Sequence, residues 1–433
     1  MSTLKAVRGT RDLLPPETAL WNRIEATARA VFARYNFGEI RTPVFEDTSL
    51  FARGVGEETD IVSKEMYTWE DRARAQSEKS QSLTLRPENT AGVVRAYIEH
   101  KLGETGQLQK LYYIGPQFRR ERPQKGRYRQ FSQIGAEVIG PPSAGSESPL
   151  RDAEVLEMLA TLLDELGISG WTLHLNSVGS SADRARYNET LRAALEPVAS
   201  KMCADCQRRA VTNPLRVLDC KVPEDQPIID ALPRIADSLD EESRAHFAAV
   251  TAALDAAGVP YTRNHRLVRG LDYYTRTTFE FTHGGLGAQN ALLGGGRYDG
   301  LSEAIGGPKA PGIGFAIGED RLVLTLQAQE AVAEKAHAYV APMGNAKDPE
   351  KLKAINAAGL ALARELRRAG LTVELGEGSF RLKKSFEAAD KVARRIVILG
   401  EDELASGILT VKEFATGTQT KVPRAELGAE LLK

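Results

Sequence analysis

Residues 112–140 read YYIGPQFRRERPQKGRYRQFSQIGAEVIG, two strand-like runs joined by a polar loop. Because side chains alternate across a pleated strand, each run places its polar groups on one face. These groups are Gln117, Arg119 and Glu121 in the first run, and Gln133 and Glu137 in the second. Guanidinium and carboxylate groups are too costly to bury unpaired, so this face is expected to contact a polar ligand. The alternative is an amphipathic hairpin with a solvated outer face, which antiparallel sheets commonly have.

Two glycines and a basic loop favour the binding surface over the solvated hairpin. Gly115 and Gly135 lie on the polar face, where the missing side chains would leave room for a ligand against the backbone. The loop between the runs carries four cations around Gly126, namely Arg122, Lys125, Arg127 and Arg129. Four cations on a short loop would repel one another unless an anion binds there. We therefore expect an anionic ligand.

Length and composition indicate a globular protein of several domains. At about 150 residues per domain, 433 residues suggest two or three. The chain has 57 Lys+Arg and 58 Asp+Glu, so nucleic acid would be bound through local clusters of charge and not through a globally basic surface. The N-terminus has no apolar signal region, and no run approaches the roughly 20 apolar residues that span a bilayer. We expect a cytoplasmic protein with no membrane segment.

The three cysteines are an odd number for a disulfide framework in a chain with no export signal. Cys203 and Cys206 have the two-residue spacing of a zinc motif, and Cys220 could add a third thiolate. A fourth ligand is wanted, and no histidine lies at a suitable spacing. We interpret the cysteines as reduced structural thiols and expect no metal site.

The order of helical and strand-like segments divides the chain. Apolar residues at helical spacing predict helices over 21–35 and 151–166. Residues 72–82 are polar and predict a hairpin excursion, and residues of about 180–258 predict an inserted helical subdomain interrupted by prolines. The last hundred residues alternate strand and helix patterns, which predicts a small α/β domain with a mostly parallel sheet.

Three further segments contain polar groups that core packing does not demand. In RPENT (86–90), Asn89 or Thr90 can cap the helix that follows, but capping does not explain Glu88. A carboxylate there could accept an ammonium group, or it could simply interact with the helix dipole.

The other two segments carry arginines. In LVRGLDYY (267–274), Arg269 could act on a ligand, or it could pair with Asp272 beside core tyrosines. The glycines of GGGRYDG (294–300) and PGIGFAIGEDRL (311–322) fit neither the dinucleotide nor the P-loop spacing. Arg321 is more informative, because a first helical turn normally prefers acids.

These segments resemble the class II aminoacyl-tRNA synthetases, most closely the bacterial-type histidyl-tRNA synthetases, over essentially the whole chain. The similarity to the three class motifs lies in VRGTRDLLP (7–15) with EIRTPVFE (39–46), in LTLRPENTA (83–91) with GPQFRRERPQKGRYRQFSQIGAE (115–137), and in GIGFAIGEDRL (312–322). LVRGLDYY and GGGRYDGL resemble the two signatures of the histidine enzyme. Asn89 and Ser132 depart from the usual residues of the family.

The resemblance implies an α+β fold. Residues 1–325 would form an antiparallel-sheet class II catalytic domain with the helical insertion at about 180–258. Residues 326–336 would be a linker, and 337–433 a C-terminal α/β domain of the anticodon-binding type. It further implies ligation of L-histidine to histidine tRNA by a homodimer, with ATP and Mg²⁺ as cofactors.

The resemblance also implies roles for individual residues. Arg119 would hold the α-phosphate of ATP and Arg321 the γ-phosphate, with adenine between Arg321 and Phe131. The full ATP-binding set would be Arg119, Glu121, Arg127, Phe131 and Arg321. The histidine-binding set would be Glu88, Thr90, Gln133, Glu137, Arg269, Tyr273 and Tyr274, with Glu137 and Tyr274 on the imidazole. Arg269 and Arg119 would be catalytic, and Arg122 and Gln124 would contact the tRNA acceptor end.

Two other classes of protein are considered. A regulatory subunit of ATP phosphoribosyltransferase shares the catalytic fold and could bind histidine as an effector. That family generally lacks the C-terminal domain and several arginines, which are present here. A purely RNA-binding module would not explain Glu88, Glu137 or the segment around Arg269.

Overall fold

The computed structural model describes residues 3–56, 59–71, 80–124, 126–286, 290–327 and 335–433. The chain forms two compact units, Met1–Ala331 and Val332–Lys433. No helix within the described residues is long and apolar enough to cross a bilayer.

The first unit has eleven strands in its described residues. They are β1 (Gly38–Glu39), β2 (Phe45–Asp47), β3 (Tyr67–Asp71), β4 (Gln81–Leu85), β5 (Gln109–Phe118), β6 (Gln130–Ile139), β7 (Trp171–Ser177), β8 (Thr262–Arg263), β9 (Thr275–His283), β10 (Ala291–Arg297) and β11 (Gly312–Gly318). Eight form one sheet in the order β1-β5-β6-β11-β10-β9-β7-β8. All its pairs are antiparallel except the two at the edges, β1 with β5 and β7 with β8. The predicted antiparallel-sheet α+β fold is confirmed.

The first unit also has ten helices in its described residues. They are α1 (Glu17–Arg34), α2 (Thr48–Val55), α3 (Thr90–Glu99), α4 (Pro149–Glu165), α5 (Ser181–Leu195), α6 (Ala204–Thr212), α7 (Gln226–Asp230), α8 (Glu241–Ala257), α9 (Leu301–Ala304) and α10 (Glu319–Gln327). A π-helical turn spans Ile61–Glu65, and short 3₁₀ turns span Leu102–Thr105, Pro142–Ala144, Ala199–Lys201, Pro214–Asp219, Pro223–Asp225, Ile235–Ser238 and Gly284–Leu286.

One face of the large sheet packs against α1, α4, α8 and α10. The stripe predicted for α4 is buried there, with Leu156, Leu159 and Leu163 fully excluded from solvent. Burial of a leucine side chain contributes about 1.5–3 kcal/mol, so this apolar face holds the helices on the sheet. The same alternation that directs Ile134 into this core turns Gln133 to the opposite face of β6.

A second, three-stranded sheet has the antiparallel order β2-β4-β3. Strands β3 and β4 pair at the base of the predicted hairpin excursion, whose residues 72–79 lie outside the described residues.

The helical insertion has a core of its own. Its apolar cluster extends from Val178 to Leu239 and includes Tyr187, Leu191 and Cys206. The predicted insertion also contained α8, but Val250 and Leu254 of that helix belong to the main core against α4. The separate core therefore ends before α8.

The three cysteines lie together in this insertion. The thiols of Cys203, Cys206 and Cys220 and a carboxylate oxygen of Asp225 all lie within 4.8 Å of one another. The sequence analysis considered only histidine as a fourth ligand, and the structure places an aspartate, five residues after Cys220, beside the three thiols.

In its described residues, the second unit contains five strands and four helices. They are β12 (Ala336–Pro342), α11 (Pro349–Arg368), β13 (Val373–Leu375), α12 (Leu382–Val392), β14 (Ala393–Leu399), α13 (Glu401–Ser406), β15 (Ile408–Glu413), β16 (Gln419–Pro423) and α14 (Leu427–Leu432), with a 3₁₀ turn at Arg424–Glu426. The sheet order is β13-β12-β14-β15-β16.

This C-terminal sheet is mixed. Strand β12 is parallel to β13 and β14, whereas β15 is antiparallel to both β14 and β16. The prediction of a mostly parallel sheet is wrong, because the short β15–β16 connection has no room for the crossover that a parallel pair needs. At the predicted linker 326–336, α10 extends to Gln327 and β12 begins at Ala336, while residues 328–334 lie outside the described residues.

Candidate active site

A cavity of about 600 Å³ lies against the polar face of the large sheet. Its volume falls in the range of about 300–1,000 Å³ that is typical of small-molecule sites. Arg119, Arg269 and Arg321, which are far apart in the sequence, all line this cavity. Eleven of the predicted site residues line it, namely Glu88, Thr90, Arg119, Glu121, Arg127, Phe131, Gln133, Arg269, Tyr273, Tyr274 and Arg321.

Three predicted site residues are not part of this lining. Glu137 is fully buried beneath the wall, and Arg122 and Gln124 are exposed in the loop between β5 and β6. Of the two departures from the family, Asn89 accepts a hydrogen bond from the Thr42 hydroxyl (2.6 Å). Neither Asn89 nor Ser132 contributes to the cavity lining.

The glycines of β10 and β11 allow functional side chains to lie flat on the sheet. A Cβ at Gly294 would come within 2.5 Å of the Arg269 guanidinium. A Cβ at Gly314 would overlap the Glu137 carboxylate, which lies directly over that residue. The absence of a side chain at these two glycines therefore leaves the space in which Arg269 and Glu137 lie close to the backbone.

Arg269 forms an ion pair with Glu280 of β9 (Nη1 to Oε2, 2.7 Å). The alternative partner Asp272 instead accepts a hydrogen bond from Asn213 (3.2 Å). Nε of Arg269 is buried and has no hydrogen-bond partner in the described part of the chain. A buried donor without a partner is costly, so this guanidinium has unused capacity for a ligand at the cavity.

The other arginines of the cavity lie near one another. The Arg119 guanidinium stacks over the Phe131 ring at 5.2 Å and donates from Nε to the Pro87 carbonyl (2.9 Å). Arg321 donates to the Ala291 carbonyl. Burial lowers the pKa of Arg321, and the charge of Arg127 lowers it further. Cations that destabilise one another in this way favour the binding of an anion.

Glu88 is the residue that caps α3. Its two carboxylate oxygens accept the backbone N–H groups of Thr90 (2.7 Å) and Ala91 (3.0 Å). Asn89 stands at the N-cap position but makes no side-chain capping bond. The expectation that Asn89 or Thr90 would cap the helix and leave Glu88 unexplained is therefore wrong. Glu88 is buried in the cavity wall, and this burial raises the pKa of its carboxyl group.

Glu137 accepts two hydroxyl hydrogen bonds, from Thr90 Oγ1 (2.8 Å) and from Tyr298 Oη (2.7 Å). Burial raises its pKa to about 8, although these two hydroxyls oppose the shift. Both donors line the cavity, so Glu137 is one hydrogen bond away from it.

Two expectations about the polar face are corrected by the structure. The space above Gly135 is filled by the Tyr113 ring, and the space above Gly115 is filled by the Arg86 guanidinium, so neither glycine leaves room for a ligand. The four cations of the loop do not all face an anion site. Arg129 donates to the Arg8 carbonyl (3.2 Å) instead, and Lys125 lies outside the described residues.

Several cavity residues were not foreseen. Tyr298 lies in the GGGRYDG segment, and Glu280 is a single carboxylate between the buried Phe279 and Phe281 of β9. Both residues could therefore have been predicted as site residues from their neighbours in the sequence. The insertion contributes Arg216, Asp219 and Lys221, for which the helical pattern gives no such signal. Arg297 of the same GGGRYDG segment lies away from the cavity in a fully buried ion pair with Asp152 of α4.

The sheet order and the arginine-lined cavity place this chain among the class II aminoacyl-tRNA synthetases. Residues 9–322 match the family model described as histidyl-tRNA synthetase, and residues 337–433 match the one described as an anticodon binding domain. The chain belongs to the histidyl-tRNA synthetase family, whose members use ATP to ligate histidine to tRNA.

Individual relatives agree with this assignment over at least 95% of their length. A histidine–tRNA ligase of Koribacter versatilis is 73% identical over 98% of this chain and 95% of its own. A histidine–tRNA ligase of Solibacter usitatus is 57% identical over 99% of both chains. The crystal structure of apo S. aureus histidyl-tRNA synthetase matches with a TM-score of 0.79 and 38% identity over 100% of both chains.

Proposed function

We propose that this chain activates L-histidine with ATP and transfers the histidyl group to the terminal ribose of histidine tRNA. In the first step a carboxylate oxygen of histidine attacks the α-phosphorus, and the bond from that phosphorus to the β-phosphate bridge breaks, which yields histidyl-adenylate and pyrophosphate. The observation that carries the proposal is the convergence of Arg119, Arg269 and Arg321 on one cavity that also contains Glu88 and Gln133.

The arginines would serve the first step by neutralising charge. Attack of a carboxylate on a phosphate brings two anions together, and fixed guanidinium groups stabilise the charge that develops. We assign Arg269 to the histidine carboxylate and the α-phosphate, Arg119 to the α-phosphate and Arg321 to the γ-phosphate. Adenine would stack on Phe131, whose ring Arg119 covers in the free protein. Glu121 and Arg127, which form an ion pair (3.2 Å), complete the proposed ATP set.

The histidine pocket would lie at the Glu88 side of the cavity. Gln133 Oε1 is buried and has no hydrogen-bond partner within the described residues, so it can accept the α-ammonium group together with Glu88 and Thr90. Glu137 would accept an imidazole N–H after it leaves the Thr90 or Tyr298 hydroxyl, and Tyr274 would donate to the other ring nitrogen, with Tyr273 packed beside it.

The cavity also contains groups that fit Mg²⁺. Glu65 and Glu121 both line it, and burial, followed by the charge of Glu121, raises the pKa of Glu65. A divalent cation that takes one or two carboxylates together with phosphate oxygens would relieve this repulsion. We propose that these two residues hold the Mg²⁺ that accompanies ATP, where the ion would neutralise phosphate charge.

The tRNA and dimer contacts are further parts of the proposal. Arg122 and Gln124 are exposed beside the cavity and would meet the acceptor end, and the second unit would bind the anticodon.

Val44, Phe45 and Trp69 are large apolar residues exposed on or beside the small sheet, and such a patch fits a protein interface. We propose that this patch contributes to a homodimer. We also propose that the protein acts in the cytoplasm.

A pyrophosphate-exchange assay tests this function. With ATP and labelled pyrophosphate, the purified chain is expected to catalyse exchange with histidine and with no other standard amino acid. Specificity follows because buried groups that hydrogen-bond the imidazole would be left unpaired by an apolar analogue, which costs about 10⁴ to 10⁵ in rate. Absence of histidine-dependent exchange, together with stimulation of an ATP phosphoribosyltransferase, would instead support the regulatory paralogue.

Glu137→Gln tests whether Glu137 recognises the imidazole of histidine through a hydrogen bond. We expect the KM for histidine to rise about tenfold to 100-fold and the KM for ATP to change much less, since a buried imidazole N–H left without its acceptor costs about 1–3 kcal/mol. Glu319→Gln is the matched control, because burial also raises the pKa of Glu319 to about 8 but this residue is not part of the cavity lining. Equal increases in both KM values would indicate a general folding defect.

A further inference from the structure

We propose that Cys203, Cys206, Cys220 and Asp225 bind one zinc ion in the helical insertion. The four residues come from three separate places in that segment. Cys203 stands at the N-cap of α6 with Cys206 in its first turn, Cys220 follows the 3₁₀ turn Pro214–Asp219, and Asp225 ends the turn Pro223–Asp225.

Two of the distances between the four ligand atoms are close to those around a tetrahedral ion, and all of them are within 4.8 Å. With a Zn–S bond of about 2.3 Å and a Zn–O bond of about 2.0 Å, two ligand sulfurs are about 3.8 Å apart and a sulfur and an oxygen about 3.5 Å. Cys203 Sγ and Cys220 Sγ are 3.9 Å apart, and Cys220 Sγ and Asp225 Oδ2 are 3.2 Å apart. A disulfide would need the two sulfurs at about 2.05 Å, so the cysteines are arranged around a common centre and are not bonded in a pair.

Backbone N–H groups donate to two of the three sulfurs. The N–H of Cys206 donates to Cys203 Sγ, and the N–H of Val222 donates to Cys220 Sγ, each at 3.4 Å. The N–H of Cys203 donates to Asp225 Oδ1 at 3.0 Å, which orients the carboxylate. Such contacts around the ligands are the kind that position metal-binding groups in known sites.

The charge of Asp225 needs a partner. This residue is 1% exposed, and its carboxylate accepts hydrogen bonds from the Cys203 N–H and the Cys220 thiol, but within the described part of the chain it forms no ion pair with a lysine or arginine. A buried carboxylate is costly unless it is paired or coordinates a metal. Thiolates with one carboxylate in tetrahedral geometry select zinc among the common divalent ions, since calcium and magnesium prefer oxygen ligands at higher coordination numbers.

The site would also support the catalytic cavity. Arg216, Asp219 and Lys221 line that cavity and lie in the chain between Cys206 and Asp225. A metal that joins both ends of this stretch would hold it at the cavity wall, although zinc binding itself does not depend on the proposed enzymatic role.

Zinc content is the direct test. The full chain, purified under reducing conditions without chelator and then exposed to Zn²⁺ and desalted, is expected to contain about one zinc per chain by mass spectrometry. Cobalt in place of zinc is expected to give the intense sulfur-to-metal absorption and visible bands of a tetrahedral thiolate site.

Two variants distinguish loss of a zinc ligand from a change of charge nearby. Asp225→Asn should weaken zinc binding at least about tenfold in a competition with a chromogenic chelator. Asp205→Asn is the matched control, because Asp205 lies between Cys203 and Cys206 but is exposed and pairs with Arg208 (3.0 Å). It should bind zinc as the unchanged chain does. Less than about 0.1 zinc per chain after reconstitution, no thiolate–cobalt band, or equal affinity in Asp225→Asn and Asp205→Asn would each overturn the proposal and leave a cluster of reduced thiols.

Discussion

Arg269→Ala is expected to lower kcat for histidine-dependent ATP–pyrophosphate exchange by about 10²–10³-fold, equivalent to about 2.7–4 kcal/mol of transition-state stabilisation. The guanidinium lines the cavity, lies flat over Gly294 and has a buried Nε without a partner among the described residues. Its ion pair with Glu280 holds the guanidinium in place before substrate arrives, and its charge is available when two anions meet at the α-phosphorus.

The ion pair with Glu280 requires a second variant. Loss of Arg269 would leave the Glu280 carboxylate without this partner, so part of the effect could come from an unpaired charge. The double variant Arg269→Ala/Glu280→Gln removes that charge and should remain as slow. Arg269→Lys should recover only part of the rate, because lysine keeps the charge but loses the planar fork of donors.

Arg244→Ala is the matched control for Arg269. Arg244 forms an exposed ion pair with Glu241 on α8 (3.3 Å) and lies outside the cavity lining. Exposed pairs contribute little, so exchange should stay within about twofold of the unchanged chain. If Arg269→Ala behaved like this control, its assigned role in activation would be wrong.

Gly314→Ala is expected to lower kcat/KM for histidine by about 10²-fold, a loss that a displacement of about 1 Å near a reacting group can cause. A Cβ at this position would overlap Glu137 Oε2 and come within 2.8 Å of the Ala136 carbonyl. Because the backbone of the adjacent strand cannot yield, Glu137 must move and its hydrogen bonds to Thr90 and Tyr298 must change. The measurement is steady-state exchange with histidine and ATP varied in turn, and histidine should be affected more strongly.

Gly38→Ala is the control for the glycine effect. Gly38 lies in β1 of the same sheet, and an added Cβ there meets no atom within 4 Å. Kinetic constants should be unchanged, and thermal unfolding of both variants shows whether the sheet is intact. A Gly314→Ala enzyme with normal histidine kinetics would show that the position of Glu137 over this glycine has no part in substrate recognition.

Local patterns in the sequence were enough for much of the architecture. The period-two alternation in 112–140 predicted which residues of β5 and β6 face the core, since a strand leaves side chains only two directions. The apolar stripe of α4 predicted the helix that covers the sheet. The C-terminal sheet was mispredicted because alternating strand and helix patterns do not reveal the direction of a strand that returns through a short hairpin.

By itself the sequence determined the residue types that the chemistry needs and the faces on which they lie, because these follow from spacing along one strand or helix. Which groups touch across the fold depended on the tertiary arrangement, since no local rule relates positions about fifty or more residues apart. Glu137 over Gly314, and Arg119, Arg269 and Arg321 around one cavity, are contacts of this kind. The position of Asp225 beside the three cysteines could not be predicted from the sequence either, although these residues are close in the chain. Only the turns between them bring the four side chains together.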